Sequence, residues 1–189
     1  MNKYFRRLLD AMRSTAKDEA MIAQIAYRIN GARATYTLGN GGSAAMADHF
    51  ASDLVRIGHQ AFSLSCNMSL ISAFGNDLRF EDIFAQQIMT TGISHRDVVV
   101  AFSGSGCSPN VISGVTQAQV QQAFTIGITG SGDPNWLKEH VDLPVVLPTS
   151  KQDHIEDLHL ALCHAVVSMM LDPDAMMGIE GGRVYGCPE

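Results

Sequence analysis

Several things are scarce in this sequence, and each shortage removes a class of function. Cysteine is sparse and scattered. Cys66, Cys107, Cys163 and Cys187 show no C-x-x-C or comparable metal-ligand spacing, so neither a cysteine zinc framework nor a dithiol redox centre is indicated. Free thiols in a reducing compartment are the expectation. Positive charge is also short. Thirteen Lys and Arg stand against nineteen Asp and Glu, a formal net charge of −6. Nothing spreads basic residues along a phosphate backbone, so a general nucleic-acid binder is not expected. Arg6 and Arg7 form only a local basic spot. No apolar run is long enough to cross a membrane, and Met1 to Ser14 is amphipathic and charged, unlike a signal peptide. A cytoplasmic protein is therefore expected. Gly-Lys-Ser/Thr is missing, and Ala44 stands where a dinucleotide fingerprint needs its third glycine. Nucleotide hydrolysis and hydride transfer are poorly supported.

What is present is an ordinary globular balance, 46% hydrophobic and 17% charged over 189 residues. That length suits one domain, residues 1–189. It divides into a helical segment over 1–30, a core over 31–171 and a glycine- and methionine-rich tail over 172–189. Apolar spacing predicts helix over 3–30, broken between Ser14 and Lys17. The apolar faces of these helices fit either core packing or a second subunit. Strands are expected at Thr35–Leu38, Ala61–Leu64, Asp97–Phe102, Phe124–Thr129 and Leu143–Leu147. Between them fall helices at Ser43–Ile57, Ser69–Phe74 (ended by Gly75-Asn76-Asp77), Phe80–Thr90 and Val111–Gln122, with a last one at Asp153–Leu171. Alternating strands and helices indicate an α/β protein with a mostly parallel sheet covered on both faces. Ligands of such sheets sit beyond the carboxyl ends of the strands.

Two loops leave such ends. Gly39-Asn40-Gly41-Gly42-Ser43 joins a strand to a helix, the geometry in which backbone N–H groups and a helix N-terminus face an anion. Ser103-Gly104-Ser105-Gly106-Cys107-Ser108 offers three hydroxyls and two flexible glycines. It reads as a helix-capping turn or as a cradle for a phosphate monoester. The presence of two such loops favours the cradle. His49 and Asp53 lie four residues apart, on one helix face. Glu156 and His164 are eight apart, within roughly 80° around the last helix. Two histidines and two carboxylates suit a divalent ion such as zinc, and they equally suit proton transfer near neutral pH. His59, His95 and His140 read as surface residues.

These motifs together resemble a known family. Gly39-Asn40-Gly41-Gly42-Ser43 with His49-Phe50-Ala51 is similar to the sugar isomerase (SIS) domain, in its phosphoheptose isomerase branch. Three further segments match in order: Ile71 to Asp77 with Phe80 to Phe84, Ser103 to Val111, and Ile155-x-x-x-His159 ending at His164. The resemblance covers about residues 20 to 171. It implies a three-layer, flavodoxin-like sandwich with a five-stranded parallel sheet between helices, N-terminal helices, and a homotetramer with sites between subunits. It implies isomerisation of sedoheptulose 7-phosphate to D-glycero-D-manno-heptose 7-phosphate, towards ADP-heptose and surface glycans. By position, Ser103, Ser105 and Ser108 would hold the phosphate with help from Asn40, Gly41 and Ser43. Asp77 and Asp153 would contact the sugar or order the site. Asp53 would be the general base and His164 the general acid. His49, Asp53, Glu156 and His164 would form a zinc site. Three positions depart from the family pattern: Asp53 replaces a glutamate, Glu156 a glutamine and Gly104 a threonine. A non-catalytic member, binding a replication initiator or sensing a sugar phosphate, and an isomerase of another phosphosugar are the other readings.

Overall fold

Side chains of Asn2 and Asp18 set where the first two helices begin. Each accepts a hydrogen bond from a backbone N–H of the first turn, at Tyr4 and Met21. The helices are α1, Lys3–Ala16, and α2, Glu19–Asn30, with Lys17 in the break as expected. The computed structural model describes residues 2–172. The predicted tail therefore lies outside the described residues, apart from Asp172.

Five strands follow: β1 (Thr35–Gly39), β2 (Ala61–Ser63), β3 (Val98–Ser103), β4 (Phe124–Thr129) and β5 (Leu143–Val146). They form one sheet in the order β2-β1-β3-β4-β5, with every pairing parallel. β1 and β3 are buried at every residue, as a sheet covered on both faces demands. Alternation assigns their side chains to two cores. Val98, Val100 and Phe102 join Phe50, Leu54, Leu158 and Leu162 on one face, under α1, α2, α3 (Gly42–Arg56) and α7 (Gln152–Leu171). Val99 and Ala101 join Phe84, Ile88, Val111 and Val115 on the other, under α5 (Ile83–Thr90) and α6 (Pro109–Val120). The three-layer parallel fold expected from the sequence is the fold observed. No helix among the described residues is long and apolar enough to cross a membrane.

Most boundaries fall within a residue or two of expectation. The remaining helix, α4, differs more. It spans Met68–Asp77 and runs through Gly75. Asn67 caps its start, and the space beside Gly75 is open enough that a Cβ there would meet Ile83 only at 3.8 Å. Glycine inside a helix costs about 1 kcal/mol relative to alanine, which an otherwise supported helix tolerates. Phe80–Asp82, expected as the start of an α-helix, is a 3₁₀ turn closed by an Arg79–Asp82 ion pair. Asp97 precedes β3 rather than opening it. Its buried carboxylate is taken up by Arg33 Nε and Nη2, at 2.8 and 2.6 Å, and by Ser94 N at 2.8 Å.

The register matters for the site. Gly39, the last residue of β1, pairs beside Phe102, and Ser103 ends β3. The two glycine- and serine-rich loops therefore leave the sheet side by side.

Candidate active site

The first loop is shaped by what glycine permits. Gly41 has φ +55°, a left-handed conformation that costs other residues energy. A Cβ on Gly39 would lie 2.6 Å from the Ser43 carbonyl oxygen, so a side chain there would push α3 away from the strand. In the second loop Gly106 has φ +67°, and a Cβ on it would lie 2.9 Å from Asn135 Nδ2. The loop ties itself together through serine: Gly106 N donates to Ser103 Oγ at 3.2 Å and Cys107 N to Ser105 Oγ at 3.1 Å. Asn40 and Asn110 exchange two amide hydrogen bonds at 2.7 and 2.8 Å, bridging the loops.

The result is a cavity of about 220 Å³ lined by Asn40, Ser43, Ser103, Ser105 and Ser108. Its polar walls are hydroxyls and amides, and α3 and α6 both begin at it. Helix N-termini carry partial positive charge and free N–H groups. A phosphate-sized anion can be held here without a lysine.

A second cluster forms where α3 lies along α7. Asp53 Oδ2 is 3.1 Å from His49 Nε2 and 3.5 Å from His164 Nε2, and the two ring nitrogens are 2.9 Å apart. At that distance one nitrogen donates to the other, or both turn lone pairs on a shared cation. Arg56 Nη1 lies 3.6 Å from the other carboxylate oxygen, Oδ1. The Asp53 side chain is 12% exposed, while the imidazoles are 42% and 55% exposed. Two buried-side neighbours, Phe50 and Leu54, anchor this stretch of α3 in the core and leave His49 and Asp53 at its edge. A tetrahedral ion with bonds of about 2.0–2.1 Å separates its ligands by roughly 3.3 Å. The three nitrogen and oxygen atoms already lie close to that spacing. The donor set fits zinc with one position left open.

Comparison with known proteins follows the same lines. Residues 2–130 match the profile of the SIS domain family. The chain belongs to the SIS domain family. A phosphoheptose isomerase of Trichlorobacter lovleyi is 35% identical over 152 residues, covering 77% of this chain and 76% of that protein. A phosphoheptose isomerase of Geobacter sulfurreducens is 34% identical over 173 residues, covering 87% and 90%. Among solved structures, the phosphoheptose isomerase GmhA of Neisseria gonorrhoeae superimposes with a TM-score of 0.82 at 28% identity, covering 88% of this chain and 95% of that one.

Within this SIS domain the expected residues divide into three groups. Asn40, Ser43, Ser103, Ser105 and Ser108 come together at the cavity, and Gly41 turns the chain beside it. His49, Asp53 and His164 converge. Glu156, expected as a fourth metal ligand, is elsewhere: it accepts a hydrogen bond from Gln152 Nε2 at 3.0 Å. Its carboxylate also rests against α3, so that a Cβ on Gly42 would lie 2.6 Å from Oε2. Eight residues are roughly 12 Å of helix rise, and Glu156 is turned away from His164 toward the phosphate end. Asp77 and Asp153 are exposed and line neither cluster. Asp77 accepts from Asn76 Nδ2, and Asp153 accepts from the His154 N–H at the start of α7.

Other residues near the two clusters were given no role by the sequence. Asn110 falls in the Ser103 to Val111 segment of the resemblance, but its pairing with Asn40 depends on strand register. His59, read as a surface residue, is half-buried with Nε2 2.9 Å from Thr35 Oγ1, and burial lowers its pKa.

Proposed function

We propose that this chain is a phosphoheptose isomerase, interconverting sedoheptulose 7-phosphate and D-glycero-D-manno-heptose 7-phosphate on the way to ADP-heptose and surface glycans. One observation carries the reading: α3 bears a phosphate-sized cradle at its start and an acid–base cluster further along. Between Ser43 and His49 the helix rises about 9 Å, and about 15 Å by Asp53. In an extended heptulose 7-phosphate roughly 9 Å separate the phosphorus from the ketone carbon. Side chains of a helix lean toward its N-terminus, which brings the His49–Asp53 pair back toward the cradle. A sugar phosphate gripped at the serines thus presents its reacting end to the histidines.

Aldose–ketose isomerisation moves a proton between adjacent carbons through an enediol. The Asp53 carboxylate takes the proton from C1 of the ketose and returns it at C2. His164, beside it, exchanges protons with the two oxygens as the carbonyl migrates. The phosphate grip is common to ground and transition states and holds the open chain in line. His49, Asp53 and His164 are the residues that would hold zinc, and a bound ion would supply carbonyl polarisation. Replacing the acid or the base should cost on the order of 10²- to 10⁴-fold in kcat.

The working form we infer is a cytoplasmic homotetramer with sites between subunits. Asp77 and Asp153, exposed on the single chain, then meet substrate through the assembly.

Incubation with sedoheptulose 7-phosphate and, separately, with unphosphorylated sedoheptulose tests this reading. Aldose should form from the phosphate ester alone. Formation from neither would overturn the assignment. Activity should fall on chelation and return with zinc; full turnover by protein shown to be metal-free would remove the ion from the account.

A further inference from the structure

The phosphate cradle has a fourth wall. Gln152, the first residue of α7, lines the same cavity as Ser43, Ser103, Ser105 and Ser108. Its side-chain amide fills the space beside Gly104. A Cβ on Gly104 would lie 2.8 Å from Gln152 Nε2, 2.9 Å from Cδ and closer still to Oε1. A side chain at position 104 would therefore displace the Gln152 amide from its present place. Backbone conformation does not explain the glycine. Gly106 in the same loop sits at positive φ, but Gly104 does not. What lies against the bare face of Gly104 is the Gln152 amide.

The amide is also oriented. Nε2 donates to Glu156 Oε1 at 3.0 Å. An amide nitrogen has two hydrogens, so one remains for a ligand. Glu156 lies against Gly42, at the start of α3, and so places a carboxylate at the phosphate end of the site. A dianion there needs a donor between itself and that carboxylate.

We propose that Gln152 is a phosphate-binding residue of this site, supplying from α7 the side-chain donor that the serine loop lacks at Gly104 and separating the bound phosphate from Glu156. This rests on the reading that the serine cavity takes the substrate's phosphate. Hydrogen bonds to charged groups are among the stronger ones. Gln152→Ala is expected to weaken phosphate binding on the order of tenfold. Gln152→Glu weakens it further by setting a second negative charge against the ligand.

The test measures inorganic phosphate binding by calorimetry, alongside KM and kcat for sedoheptulose 7-phosphate. Gln152→Ala should raise the phosphate Kd, and the loss in turnover should fall on KM rather than kcat. Gly104→Thr alone should bind poorly, because the new side chain meets the amide. Gly104→Thr combined with Gln152→Ala should recover much of the binding, since a hydroxyl then occupies the vacated space. Steric relief alone also gives that recovery, so the readout that a purely structural role does not move is the higher phosphate Kd of Gln152→Ala at unchanged kcat. Wild-type affinity in Gln152→Ala, failure of the double variant to improve on both single ones, or no phosphate binding by the wild type would each overturn the proposal. Gln152-dependent phosphate binding in a protein that isomerises no ketose phosphate would defeat the isomerase reading and leave this one standing.

Discussion

His159 sits where a proton is hard to place. The ring is fully buried on α7, edge-on to Phe102 at 5.3 Å, and neither nitrogen has a well-formed hydrogen bond. Burial lowers its pKa from 6.5 to about 4, with the nearby Ile128 carbonyl opposing that only in part. The unfolded chain takes up this proton near pH 6.5 and the folded chain does not. The stabilisation from a neutral His159 is therefore complete above pH 6.5 and is lost as pH falls toward 4, roughly 3 kcal/mol in all. Urea unfolding followed from pH 7 to pH 4.5 should show a falling midpoint, and His159→Leu should flatten that slope. Parallel profiles for the two proteins would contradict the assignment. At this scale the sequence was legible where helical spacing alone decides contact, as with His49 and Asp53. It was illegible where a neighbour decides direction. Glu156 has suitable spacing to His164, but Gln152 and the bare face of Gly42 turn it toward the other end of the site. Gly104 stands out in the sequence as a departure from the family pattern, but the Gln152 amide against it is visible only in the fold.

Among the elements, β3 depends on a clamp at its base. The Asp97 carboxylate is fully buried and accepts from Arg33 twice and from the Ser94 N–H and hydroxyl. Burial pushes its pKa up, and the Arg33 and Ser94 hydrogen bonds together pull it below the usual range. Asp97→Ala should lower stability by about 2–4 kcal/mol, read as a lower urea midpoint; Asp97→Asn, which can still accept one bond from each partner, should lose less. An unchanged midpoint in Asp97→Ala would show that the clamp is incidental. The strands themselves were legible because β3 and β4 are continuous apolar runs that only a sheet covered on both faces can bury. The 3₁₀ turn at Phe80–Asp82 was not, because the Arg79–Asp82 pair that closes it leaves no periodic trace. The passage of α4 through Gly75 was missed for a related reason: a glycine ends a helix only where the chain must turn.

At the scale of the whole molecule, apolar surface on α1 is left uncovered among the described residues. The fourteen residues of α1 bury only Leu8 and Ala11, while Phe5 and Leu9 are 57% and 39% exposed. Met12, Ala16, Ala161 and Ala165, none of them buried, rim a groove of about 240 Å³ between α1, α2 and α7, with the core residues Leu158 and Leu162 at its floor. Contiguous apolar surface of this kind marks association. On the proposed assembly, sedimentation should give a particle four times the 20.4 kDa chain, and a single-chain mass at micromolar concentration would contradict the proposed tetramer. Whether these helix faces pack inward or onto a second subunit could not be read from periodicity, because both uses need the same apolar stripe.

The central proposal is that Asp53 and His164 act together on a phosphorylated ketose. Its most direct test is the rate of aldose phosphate formation from sedoheptulose 7-phosphate, followed by NMR for the wild type, Asp53→Asn and His164→Ala at matched concentration and verified fold. Steady conversion by the wild type and a loss of at least about a hundredfold in each variant is the predicted result. Full turnover in either variant, or none in the wild type, would contradict it.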